Sequence, residues 1–152
     1  MSVLSLDDAA ALVDALRREG RTVVFTNGVF DLLHPGHVRY LQAARAEGDA
    51  LIIGVNSDRS VRANKGPSRP ITPEAERAEI LAALACVDAV VIFDEETPAA
   101  IIGRLQPDVL VKGADYKLSE VVGADLVQAA GGKVILAELA PGHSTTATIG
   151  RM

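Results

Sequence analysis

Short apolar runs alternate along the chain with segments whose apolar residues recur every three or four positions. Leu6, Ala9, Val13 and Leu16 share one face of a helix, with Ser5 or Asp7 to cap its start and Gly20 to end it. Residues 22–27 (TVVFTN) are a β-branched run and form the first predicted strand. From His37 to Glu47, Val38, Leu41 and Ala44 make a helical stripe, and residues 50–55 (ALIIGV) form a second, buried strand. Residues 56–71 are polar and hold Asn64, Gly66, Pro67 and Pro70, which predicts a long loop, a kind of segment that is often functional. Thr72-Pro73-Glu74 opens the next helix with a cap, an early proline and acids near the positive end. A third strand follows at 88–93, a helix from Thr97-Pro98 to about Leu105, and a fourth strand at 108–111. A helix near 119–130 ends at Gly131-Gly132, a fifth strand covers 133–137, and a short helix starts near Ser144.

Short, wholly apolar strands separated by helices predict a parallel sheet covered on both faces. With right-handed crossovers this is a doubly wound α/β fold of about five strands. It is read as one domain over residues 1–152, with the helix of residues 1–20 packed on it. Such folds bind ligands at the carboxyl ends of the strands, where strand order reverses. The polar residues follow that rule. Thr26-Asn27-Gly28-Val29-Phe30-Asp31 and His34-Pro35-Gly36-His37 follow strand one. Asn56-Ser57-Asp58 and the basic residues Arg62, Lys65 and Arg69 follow strand two. Lys112-Gly113-Ala114-Asp115-Tyr116 follows strand four, and His143-Ser144-Thr145-Thr146 follows strand five. Four clusters far apart in sequence are therefore expected along one edge of the sheet.

Composition narrows the function classes. A chain of 152 residues buries roughly 70% of its unfolded surface, and 49% apolar with 23% charged residues is a globular composition. A formal charge of −5 argues against a nonspecific nucleic-acid binder. Two Tyr, three Phe and no Trp leave little to stack on single strands. The lone Cys86 excludes an internal disulfide and reads as a small core residue. No apolar run approaches ~18 residues, and the N-terminus has early acids and no basic leader. A soluble cytoplasmic protein that binds no nucleic acid and no membrane is expected.

The Gly-rich dinucleotide and P-loop motifs are absent. The chain offers instead His-Pro-Gly-His at a predicted helix N-terminus, where free amides and the helix dipole attract anions. Gly36 lets a phosphate approach the backbone. His34 and His37 are neighbours at a helix start and can donate to phosphate oxygens, bind a metal, or act as acid and base. A metal would need further ligands, and only Asp31 is near, so no metal site is assigned. The plain alternative is a capping or surface pair. It is weaker because two of only three histidines flank one glycine at a strand-to-helix turn. Arg77, in line with Leu81 and Leu84, is expected to point toward the crevice, its alternative being a local pair with Glu74. Lys65 and Arg69 read equally as solvated loop charges. Lys112 and Asp115 read as a surface ion pair beside a glycine, Asp31 as a turn residue, and Thr145 and Thr146 as a plain N-cap. His143 is left unassigned.

TNGVFDLLHPGH resembles the HxGH signature of a nucleotidyltransferase superfamily. NSDRSVRANKGPSRPITPEAER, VKGADY and HSTT narrow the resemblance to the D-glycero-β-D-manno-heptose 1-phosphate adenylyltransferases, from about Thr22 to the C-terminus. These enzymes make ADP-heptose for the lipopolysaccharide inner core. The resemblance implies that His34 and His37 bind the ATP phosphates and stabilise the transition state, and that Lys65 reaches the phosphates from a mobile loop. It places Thr26, Asn27, Gly28, Phe30, Gly36, Arg77, Ser144, Thr145 and Thr146 at the nucleotide, and Asp31, Arg69, Lys112 and Asp115 at the sugar phosphate. Ile149 stands where many relatives have a base, the nearest base being Arg151. The resemblance further implies Mg²⁺ with ATP, in-line attack on the α-phosphate without a covalent intermediate, a homo-oligomer, and a separate sugar kinase. The alternatives are a sister transferase using CTP with glycerol 3-phosphate or ethanolamine phosphate, an FMN adenylyltransferase, or a nucleotide-binding module without catalysis.

Overall fold

The computed structural model describes residues 2–137. In chain order these form β1 (Ser2–Val3), α1 (Leu6–Arg18), β2 (Val23–Gly28), α2 (Pro35–Arg45), β3 (Ala50–Asn56), α3 (Asp58–Lys65), α4 (Glu74–Ala82), β4 (Ala89–Phe93), α5 (Ala99–Leu105), β5 (Val109–Gly113), a 3₁₀ turn (Leu118–Glu120), α6 (Ala124–Ala129) and β6 (Lys133–Ala137). The strands make one parallel sheet in the order β1-β4-β3-β2-β5-β6. The chain builds outward from β2 through β3 to β4, then returns to place β5 on the other side of β2. The switch point therefore lies between β2 and β5.

Alternation along each strand feeds two cores. On one face Val23, Phe25, Ile52, Val91 and Leu110 pack with α1, α5 and α6 through Val13, Ile101, Ile102 and Val127. On the other Val24, Leu51, Ile53, Val90, Val109 and Val111 pack with α2 and α4 through Leu41, Ala44, Ala78 and Leu81. β3 is buried at every position because helices cover both its faces. The Ser5 hydroxyl caps α1 by accepting from Asp8 N at 3.1 Å.

Four expectations are corrected. The sheet has six strands, since the two-residue edge strand β1, which pairs Ser2 and Val3 with Ala89 and Val90, is too short to leave a periodic signal. Residues 58–65 are a helix within the expected loop. α3 is polar and buries only Ser60 and Val61, so it shows no apolar stripe, and it is anchored by Ser57 Oγ accepting from Ser60 N. Thr72 does not cap α4; Pro73 occupies that position without a side-chain bond, and the Thr72 amide donates to Asp31 instead. The helix expected near 119–130 is broken at Gly123, which has φ 88°, and only 124–129 are α-helical. A Cβ at Gly123 would stand 2.6 Å from Ile102 Cδ1, so α6 packs closely only because this residue has none. His143, Ser144, Thr145, Thr146 and Arg151, with the helix expected near Ser144, lie outside the described residues.

Candidate active site

A cleft of about 520 Å³ opens at the carboxyl ends of the strands. It draws on the end of β2 and the segment after it (Asn27, Gly28, Phe30), α2 (His37, Tyr40), α3 and the following loop (Lys65, Arg69), and the end of β5 with the turn after it (Lys112, Asp115, Tyr116). Glu96, Thr97 and Pro98, after β4, complete it. That size suits a small-molecule site.

The α2 wall is built on a helix start. His34 occupies the N-cap position without a side-chain cap bond, and Pro35 is the first helical residue, its missing N–H costing nothing there. The His34 and His37 rings stack with centroids 3.9 Å apart, and the edge of Phe30 meets His37 at 5.7 Å. Phe30 reaches this place from a backbone with φ 51°, a left-handed conformation costly for a bulky side chain. Gly28 makes room for it, since a Cβ there would lie 3.0 Å from the Phe30 ring. Burial, together with the neighbouring His34, pushes the His37 imidazole down to about 4 against the opposing effect of a hydrogen bond at Leu32. His37 is therefore neutral at pH 7.

The facing wall carries cations. Lys65 ends α3, Arg69 stands in the next loop, and Lys112 Nζ donates to Asn27 O at 3.2 Å and sits 4.9 Å above the Tyr116 ring. Burial pushes the Lys112 ammonium down to about 8; Asp115 opposes this and Lys65 adds to it. Asn27 Oδ1 is buried and makes no hydrogen bond among the described residues. A buried acceptor of this kind is costly unless something else meets it.

Three of the residues expected at ligands lie beneath this surface. The Thr26 hydroxyl is buried and engaged with Tyr40 and Val111. Asp31, whose side chain is fully buried, accepts from Ile71 N, Thr72 N and Arg69 Nε. Burial would raise its carboxyl, but the Thr72 and Ile71 amides and Arg69 outweigh that and hold it below the usual carboxylate range. Arg77 is 1% exposed and donates to Thr72 O, Val29 O, Asn56 O and Asp58 Oδ1. The local pair with Glu74 does not form; Glu74 accepts from Asp58 N instead. Asp31 and Arg77 thus hold the loops that carry Arg69 and the strand ends.

The Asp31 charge stabilises the fold above the unfolded-state carboxylate pKa, and that stability is lost as pH falls through the lowered folded value. Asp31→Asn should therefore cost roughly 3 kcal/mol at pH 7, at the lower end for breaking a buried pair. Urea unfolding of the two proteins at pH 7 reads this directly. Equal midpoints would contradict the bracing role.

Sequence reasoning missed Glu96 and Thr97. The polar run Asp94-Glu95-Glu96-Thr97 at the carboxyl end of the third strand is the signal that marks them. Tyr40 was missed because it falls within a helix and carries no motif.

The cytidylyltransferase-like family profile matches residues 25–149. The bifunctional protein HldE of Paramagnetospirillum magneticum is 59% identical over 150 residues, 99% of this chain and 31% of that protein. HldE of Mesorhizobium japonicum is 56% identical over 151 residues, 99% of this chain and 30% of that protein. The chain thus spans about three tenths of the length of these curated relatives. Among solved structures, the lipopolysaccharide core biosynthesis protein of Thermoplasma volcanium matches with a TM-score of 0.65 at 29% identity, covering 80% of this chain and 98% of that one. Pantoate-β-alanine ligase from Francisella tularensis matches with a TM-score of 0.68 over 100% of this chain and 73% of that one; at 16% identity this is a likeness of fold alone.

Proposed function

The chain belongs to the cytidylyltransferase-like family, and from that premise we propose that its cleft transfers the adenylyl group of ATP to D-glycero-β-D-manno-heptose 1-phosphate, giving ADP-heptose and pyrophosphate. The observation that carries this reading is the meeting of His37, Lys65, Arg69 and Lys112, from separate segments, around one cleft at the switch point. Two polyanions must be brought together there, and donors on both walls suit that task. The heptose acceptor is supported by the motif resemblance, by the HldE relatives and by the likeness to a lipopolysaccharide core biosynthesis protein.

The sugar-phosphate oxygen attacks the α-phosphorus of ATP in line and the bond to pyrophosphate breaks. The attacking oxygen is already ionised at pH 7, so no side chain needs to become a nucleophile. Catalysis then rests on positioning and on stabilising phosphate charge. His34 and His37, with the uncapped start of α2, receive the triphosphate, and Lys65 reaches its oxygens. Arg69, steadied by Asp31, and Lys112 hold the sugar phosphate, with Asp115 beside them toward the hydroxyls. Asn27 and Gly28 line the nucleotide side, and Ser144, Thr145 and Thr146 belong to it by resemblance.

Mg²⁺ fits this arrangement as a passenger on the triphosphate. No group of three or more His, Cys, Asp or Glu is placed to hold a metal among the described residues. Glu96, which lines the cleft, would supply a carboxylate of the kind that a phosphate-bound Mg²⁺ takes. Bound there, the ion neutralises triphosphate charge. No helix among the described residues is long and apolar enough to cross a membrane. A cytoplasmic location and a homo-oligomer remain part of this reading.

Pyrophosphate release tests it, with ATP or CTP against β-heptose 1-phosphate or glycerol 3-phosphate. Release with ATP and the heptose alone supports the assignment. Release with another pair replaces the substrates, and binding of ATP without release from any pair favours a binding module. A pH dependence follows from Lys112. The ammonium that meets the sugar phosphate is lost above about pH 8, so the KM for the acceptor should climb from pH 7 to 9, by up to about tenfold per pH unit past 8. Lys112→Arg, which does not titrate there, should flatten the profile. A flat wild-type profile would contradict the role.

A further inference from the structure

β2 pairs with β3 as far as Gly28, and β5 pairs with β6 as far as Gly113. Yet β2 and β5 pair only at Val24–Val109 and Phe25–Leu110. Beyond that point the two central strands part, and the cleft lies in the opening. A buried carbonyl released from a ladder needs another donor. Val111 O lies 2.8 Å from Thr26 Oγ1 and 3.1 Å from the Tyr40 hydroxyl, and the two hydroxyl oxygens are 2.8 Å apart, so one hydroxyl donates to Val111 O and the other donates to that hydroxyl or to the same carbonyl. One residue further along, Lys112 Nζ donates to Asn27 O. Side-chain donors thus serve carbonyls along the edges where the two strands have separated.

This cluster joins the two walls of the cleft. Tyr40 stands one helical turn beyond His37, Thr26 directly precedes Asn27, and Val111 directly precedes Lys112. Thr26 is fully buried and Tyr40 is 7% exposed. Burial pushes the Tyr40 phenol up to about 12, against the pull of its bond to Thr26, so it keeps its proton at any working pH.

We propose that Tyr40 and Thr26 are positioning residues whose hydroxyls tie β2 to β5 at a fixed spacing where the strands part at the switch point, and so set the distance between the His37 wall and the Lys112 wall. The inference rests on the two-substrate reading of the cleft. Each wall keeps its own ligand groups when the spacing changes, so each substrate still binds. Transfer needs both substrates in line, and a displacement of about 1 Å can cost as much as 10²-fold in rate.

Tyr40→Phe and Thr26→Val should each lower kcat on the order of ten- to a hundredfold, with either KM changing less than about twofold. Thr26→Ser restores the hydroxyl and should recover turnover. The double variant should lose no more than the worse single variant, because the two hydroxyls act as one unit. Assays run below each variant's melting transition, so that only folded protein is compared. Unchanged kcat in Tyr40→Phe, KM values rising in step with the loss of kcat, or Thr26→Ser no better than Thr26→Val would each overturn the inference. Amide hydrogen exchange gives a readout that needs no turnover. Peptides covering 24–28 and 109–113 should exchange faster in the double variant than in wild type, with β3 and β4 unchanged. Equal exchange there would overturn the inference even if the substrates prove to be others. Inactivity of the wild type with every nucleotide and acceptor would count against the proposed function instead.

Discussion

Turnover of a His37→Ala variant falls by about 10²–10³-fold, while the protein stays folded. The size follows from what the side chain does. Its ring is fixed by the His34 stack and the Phe30 edge, so the imidazole is oriented before substrate arrives. A preorganised donor aimed at developing charge contributes ~2.7–4 kcal/mol to the transition state. His34→Ala should lower turnover in the same direction, since it removes the ring that stacks on His37. Initial rates of pyrophosphate release at saturating substrates measure both, and near-normal rates in both variants would sink the assignment. The same histidine leaves a mark on stability. Its folded pKa of about 4 lies below the ordinary value of 6.5, so the unfolded chain takes up its proton first. Stability associated with His37 is therefore present above pH 6.5 and is lost as pH falls toward 4. His37→Ala should remove that part of the slope.

The largest effect on stability is expected from Arg77→Met. Arg77 is among the largest fully buried side chains of the described residues, and its guanidinium ties the loop after β2, the end of β3, the first turn of α3 and the approach to α4. Methionine fills much of the volume but leaves the buried Asn56 carbonyl, the part-buried Thr72 and Val29 carbonyls and the Asp58 carboxylate without this partner. Breaking a buried pair of this kind costs about 3–5 kcal/mol, which for a domain of this size lowers the melting temperature by roughly 10 °C. Arg77→Lys should recover little, because one ammonium cannot reproduce the planar fork that reaches four acceptors. A melting temperature within about 2 °C of wild type in Arg77→Met would contradict the clamp.

The strands and most helices were legible because their apolar periodicity is what the two cores bury. Val24, Leu51 and Val90 on one face, and Phe25, Ile52 and Val91 on the other, are the same alternation seen twice. The meeting of His37, Lys65 and Lys112 was legible too, since strand-end position alone brings them to one edge. What escaped was polar structure. α3 has no apolar stripe and is held by a cap, so composition read it as loop. The depth of Asp31, Thr26 and Arg77 was also hidden. A motif names residue types that recur near a ligand and does not say which of them touch it. The stripe with Leu81 and Leu84 turned Arg77 inward, and the resemblance placed both Arg77 and Asp31 at ligands, but neither signal showed what the two side chains bond. Their partners are backbone amides and carbonyls, which carry no sequence signal.

The central claim is that the sugar phosphate itself attacks the α-phosphorus of ATP. It is tested most directly by giving the protein Mg-ATP and β-heptose 1-phosphate labelled with ¹⁸O throughout its phosphate, then weighing the products. The account predicts ADP-heptose and pyrophosphate in equal amounts, with all of the label in ADP-heptose and none in pyrophosphate. Label in pyrophosphate, or ATP consumed without a joined nucleotide sugar, would contradict it.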